Sequence, residues 1–73
     1  MRILHVHDVP RFEVGVEQIL YDTARGLARN GWSQALLHSD EKQVDSKFLS
    51  AFSSSGSNNE IIYRFLPHAI LMN

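Results

Sequence analysis

Residues 2–38 read RILHVHDVPRFEVGVEQILYDTARGLARNGWSQALLH, and the order of their elements decides the fold. Arg2 to His7 is a short aliphatic and β-branched run, which predicts a strand over 2–7. Alternation puts Ile3, His5 and His7 on one face and Leu4 and Val6 on the other. Bulk on both faces suits a strand covered on two sides. Pro10 and Gly15 punctuate the loop that follows. A helix is then predicted over 16–29, because Val16, Ile19, Leu20, Ala24, Leu27 and Ala28 recur at the spacing of one buried stripe. Glu17 and Asp22 lie in its first half and Arg25 and Arg29 in its second, as the helix dipole prefers. Asn30-Gly31 supplies a left-handed stop. Gly26 sits inside the helix at a cost of about 1 kcal/mol relative to alanine, for which close backbone packing is the favoured reason. A second strand over 32–38 completes a parallel βαβ unit of right-handed crossover.

Outward from that unit the pattern is weaker. Val44, Phe48, Leu49 and Phe52 predict a short helix over 44–52. Ser53 to Asn59 reads as a flexible connector rich in serine, glycine and asparagine. Ile61, Ile62, Tyr63 and Phe65 predict a third strand over 60–66, ended by Pro67. His68 to Asn73 reads as a partly apolar tail. The fold class expected is therefore α/β, a partial Rossmann-like βαβ(α)β unit with a parallel sheet. Phe48, Phe52, Tyr63 and Phe65 are expected in the core, since no basic residues interleave them as stacking on single strands would require.

Composition narrows the functions. With 73 residues the chain is at most one small domain. Seven basic and eight acidic residues are scattered, so nucleic-acid binding has little electrostatic support. There is no cysteine, hence no disulfide and no thiolate metal site. No apolar run approaches the roughly 20 residues of a membrane span, and the N-terminal stretch does not read as a signal peptide. A cytoplasmic location is the default expectation.

The loop at the carboxyl end of the first strand is where open α/β sheets bind ligands. It holds only Gly15 of the three glycines that a dinucleotide fingerprint needs, and no P-loop lysine. Gly15 would leave backbone N–H groups open at a helix N-terminus, suited to phosphate or a sugar hydroxyl. Glu17 could accept hydrogen bonds from a substrate hydroxyl, or could simply complement the helix dipole. His7 is placed to touch substrate, and His38 shares that logic more weakly. His5 and His7 at i, i+2 could form half of a metal site, but the ligand count favours packed, hydrogen-bonded imidazoles, so no metal is expected.

Arg2-Ile3-Leu4-His5-Val6, the Gly15-Val16-Glu17 turn, Leu20, Ala24-Arg25-Gly26-Leu27-Ala28 and Asn30-Gly31 together resemble the start of family 4 glycosyltransferases. The resemblance implies the N-terminal half of a GT-B enzyme made of two Rossmann-like domains, here truncated. In such an enzyme the N-terminal domain meets the sugar acceptor, and the missing C-terminal domain holds the nucleotide-sugar donor. Sugar transfer would retain the anomeric configuration, without a bound metal or other cofactor. Gly15, Glu17, Val14 and His7 are then the substrate-binding candidates, and no catalytic residue is assigned. Val14 departs from the family's pattern, which has a glycine there, and Trp32 stands where a polar residue is usual. The alternative is a small non-enzymatic module that associates through exposed sheet edges.

Overall fold

The computed structural model describes all 73 residues. The order is β1 (Arg2–Val6), α1 (Gly15–Arg29), β2 (Ser33–Leu37), α2 (Ser46–Leu49), β3 (Ser54–Gly56), α3 (Glu60–Phe65) and β4 (Ala69–Met72). The four strands form one all-parallel sheet in the order β3-β2-β1-β4. The chain thus builds outward from β1 to β3, then crosses back to place β4 on the other side of β1. This is the α/β, Rossmann-like arrangement expected from the sequence, with the strand order reversing between β1 and β4.

Register fixes the two faces. Ile3 pairs with Gln34, Leu4 with Ala35 and His5 with Leu36. The face bearing His5 and Leu36 is covered by α1 and by the residues around α2. There Leu20, Tyr21, Ala24, Leu36, Phe48, Ala51 and Phe52 form one buried cluster. On the opposite face Leu4 and Ala35 are buried, and α3 packs across β1 and β2. Helix α1 ends as foreseen. Gly31 takes φ 82° and its N–H reaches Ala28 O, while Trp32 N–H reaches Leu27 O, a Schellman stop.

Several expectations are corrected. The segment over 60–66 is a helix, not a strand. The Asn58 side chain accepts the Glu60 N–H at 2.9 Å, Glu60 and Arg64 pair across one turn at 3.3 Å, and Leu66 closes the helix at φ 52°. Ile61, Ile62 and Phe65 share the half-buried side, and Tyr63 is 77% exposed, so neither Tyr63 nor Phe65 joins the buried core. The remaining strands come from the supposed connector and tail. Ser54–Gly56 pairs with Ala35–Leu37, and Ala69–Met72 pairs with Ile3–Val6. The connector becomes a strand chiefly through backbone bonding: Ser53 N–H donates to Gln34 O at 2.7 Å and His38 N–H to Gly56 O at 3.0 Å, and the Ser53 hydroxyl also donates to Gln34 O at 2.7 Å.

The buried stripe of α1 is rotated from the predicted one. It consists of Glu17, Leu20, Tyr21 and Ala24, whereas Ile19 is 67% exposed and Val16 is also exposed. Tyr21 earns this side by packing against Phe12 and Phe48. Gly26 has no close neighbour that a Cβ would strike, its nearest atom being Arg29 Nη2 at 3.9 Å, so close packing does not explain it. The helix over 44–52 is regular only from Ser46 to Leu49, capped by Asp45, whose Oδ1 accepts the Lys47 and Phe48 N–H groups. Phe48 and Phe52 are buried as expected, while Val44 lies exposed before the cap. No helix is long and apolar enough to cross a membrane.

Candidate functional site at the carboxyl ends of the strands

The loop between β1 and α1 runs from His7 to Val14 and is fastened down along its length. Asp8 O accepts from the Ser39 and Asp40 N–H groups at 3.2 and 3.0 Å, and Pro10 O accepts from Asp45 N–H at 3.0 Å. Arg11 donates to Lys42 O at 2.8 Å and forks onto Asp40 at 2.9 Å and Glu13 at 3.3 Å. Pro10 is fully buried beneath it. Asp40 also accepts the Lys42 N–H, and this bond with the Arg11 guanidinium holds its carboxyl below the usual range. The loop is a tied platform.

Glu17 organises the inner end. Although charged, it is only 2% exposed. Its Oε1 accepts the Val14 N–H at 2.6 Å and the Glu13 N–H at 3.2 Å. Its Oε2 lies 2.6 Å from His7 Nε2. This is half of a capping box: the carboxylate at N3 caps the residue that starts the helix, and Val14 has no acceptor to return the bond. Burial alone would raise the Glu17 carboxyl, but the Val14 amide, His7 and the Glu13 amide outweigh it and hold it below its ordinary value.

Of the four residues singled out from sequence, His7 and Glu17 are thus brought into contact. Val14 and Gly15 form the exposed rim. Val14 has φ −128°, ordinary extended backbone, so valine is accommodated there without strain. Gly15 has no neighbour within 4 Å of where a Cβ would sit. The helix N-terminus is less suited to a phosphate than Gly15 suggested, because the Glu17 carboxylate already stands there and holds the Val14 N–H.

His7 Nδ1 lies 3.4 Å from Asn73 O, on the β4 side of the strand-order reversal. Beside it is a hollow of about 170 Å³ lined by His7, Asp8, His38, Ser39, Ser57 and Asn59, with Val6 and Leu37 as its apolar part. His38 is buried and its Nδ1 is 2.8 Å from Asp40 O. Ser57 and Asn59 are residues that sequence reasoning assigned to a flexible connector. Only the pairing of Ser54–Gly56 onto β2 carries them to the cleft. A larger hollow of about 340 Å³ lies between β3 and α3, but its only cation, Arg64, is already paired with Glu60. The smaller hollow is the better candidate, because it lies at the strands' carboxyl ends beside a buried imidazole–carboxylate pair.

His5 belongs to a second polar chain. Gln34 Nε2 donates to Ala24 O at 2.6 Å, which leaves Gln34 Oε1 to accept from His5 Nε2 at 2.7 Å. The proton is therefore on Nε2, and His5 Nδ1 is buried with no partner. Phe52 meets the ring edge-on at 5.6 Å. Burial lowers the His5 pKa despite the Gln34 bond.

No family model, curated protein or solved structure matches the chain. A functional reading therefore rests on the residues themselves.

One consequence is measurable. His5 is neutral in the fold but protonates near pH 6.5 when unfolded, so the unfolded chain binds more protons as pH falls below that value. Stability should be level above about pH 7 and decline as pH drops through about 6.5. It should fall again below about 4.5, as Glu17, ionised in the fold, becomes protonated in the unfolded chain. Urea unfolding midpoints across pH 4–8 test this. The Glu17→Gln variant should keep the first decline and weaken the second, leaving the part due to Asp40.

Proposed function

We propose that this unit is the acceptor-binding half of a sugar-transferring enzyme of GT-B type. The observation that carries the reading is His7 clamped by buried Glu17 at the carboxyl end of β1, beside a polar cleft. The sequence resemblance over the first 38 residues agrees with it. With an Nε2 proton directed at Glu17, Nδ1 is the ring nitrogen left to accept from a substrate hydroxyl that enters in place of the Asn73 carbonyl, 3.4 Å away. The positioned hydroxyl oxygen would bond to the anomeric carbon of a nucleotide sugar. The sugar–phosphate bond would break, and the hydroxyl proton would end on the departing phosphate. Donor binding and the groups that stabilise the departing phosphate belong to a second domain, so this chain alone is inactive in transfer.

Amide NMR spectra of the chain with a panel of simple glycosides test the reading. Shifts at His7, Asp8 and Gly15, without sugar transfer when a nucleotide sugar is added, are the expected result. A panel that shifts nothing would overturn the acceptor site, and turnover by the chain alone would overturn the division of labour.

A second reading has its own observation. β4 is an open edge whose Ile70, Leu71 and Met72 are all exposed, with no charged residue among them. Such an edge is a template for pairing with another chain. On this reading the protein is an interaction module that self-associates. Light scattering should then show dimers at high concentration, and Ile70→Lys should return them to monomers. A wild-type chain that stays monomeric removes this reading.

A further inference from the structure

We infer that the cleft beside His7 takes an uncharged polyhydroxy compound and rejects its phosphorylated form. The inference rests on the acceptor-site reading above and names the chemical class of the acceptor. In an open α/β sheet the usual seat for a phosphate is the first helix N-terminus, where free N–H groups and the dipole favour an anion. Here a buried carboxylate already stands at that seat. Glu17 takes the Val14 and Glu13 N–H groups, and its buried negative charge opposes a second anion at the same helix end.

The lining points the same way. His7, Asp8, His38, Ser39, Ser57 and Asn59 offer hydroxyl, amide, imidazole and carboxylate groups, and no lysine or arginine. Arg11 is already engaged by Asp40, Glu13 and Lys42 O, and neither it nor Lys42 lines the hollow. Asp8 is exposed and would repel a phosphate dianion, yet it accepts hydrogen bonds well from sugar hydroxyls. Asn59 can both donate and accept, and Ser57, whose hydroxyl donates to Glu41, can still accept, which suits a ring of hydroxyls.

The test is a titration of the chain, followed by amide NMR, with methyl glucoside, the corresponding sugar phosphate and inorganic phosphate. The neutral sugar should shift His7, Asp8 and Ser57, and the sugar phosphate should bind at least about tenfold more weakly. Equal or tighter binding of the phosphate would overturn the inference while leaving the acceptor site standing. If neither compound binds, both readings fall. Asp8→Asn, which leaves the Asp8 backbone bonds in place and changes only an exposed side chain, should narrow the gap between the two sugars. A gap left unchanged by that substitution would overturn the electrostatic argument.

Discussion

Replacing Phe48 with alanine is expected to leave much of the chain unfolded at 25 °C. Phe48 is fully buried and is the hub of the aromatic cluster. Phe12 meets it edge-on at 5.2 Å, Phe52 is tilted against it at 5.7 Å, and Tyr21 stacks at 6.4 Å. Through these rings it joins the β1–α1 loop, α1 and the α2 region over one sheet face. Removing a buried phenylalanine costs about 3–5 kcal/mol, and a chain this short holds only a few kcal/mol in total. The two figures are of the same size, so the folded population should collapse. Phe48→Leu keeps most of the volume and should cost about 1–2 kcal/mol. Near-ultraviolet circular dichroism and urea unfolding read both variants. A Phe48→Ala protein within 1 kcal/mol of wild type would mean that the cluster is not what holds α1 to the sheet.

The importance of Phe48 was legible in the sequence, and so were β1, α1 and β2, because all rest on spacing. A run such as Arg2–Val6, a helical period ending at Asn30-Gly31 and a second run are local signals that tertiary structure had no cause to override. Residues 60–66 misled because β-branched and aromatic residues favour strands on average. The competing signals were the Asn58-Asn59-Glu60 start and the Glu60–Arg64 spacing, and these won. Ser54–Gly56 could not be found by hydropathy. Its strand exists because the edge of β2 offers backbone partners, not because its side chains need burial. The site was half visible for the same reason. His7, Val14, Gly15 and Glu17 lie near one another in sequence. Ser57 and Asn59 reach the cleft only through the β3 pairing. The inward aim of Glu17 was hidden because a carboxylate is the last residue a hydrophobic stripe would count as buried.

That aim makes Glu17 the site of the second large effect. Glu17→Ala should destabilise the chain by about 3 kcal/mol, since it removes a buried carboxylate that serves two amides and one imidazole. Glu17→Gln separates the contributions. The amide keeps the volume, and its oxygen can still accept from Val14 N–H. Its NH₂ group must then face His7 Nε2, placing donor against donor. The imidazole can escape only by moving its proton to Nδ1, the nitrogen proposed to receive the substrate hydroxyl. The expected result is a loss of about 1–2 kcal/mol together with a change of His7 tautomer, read from its ring nitrogen shifts. Glycoside binding should weaken in step with the tautomer change rather than with the stability. A Gln variant that keeps the His7 proton on Nε2 and loses no stability would show that the short His7–Glu17 approach orients nothing. In that case the Nδ1 acceptor role of His7 would not depend on Glu17.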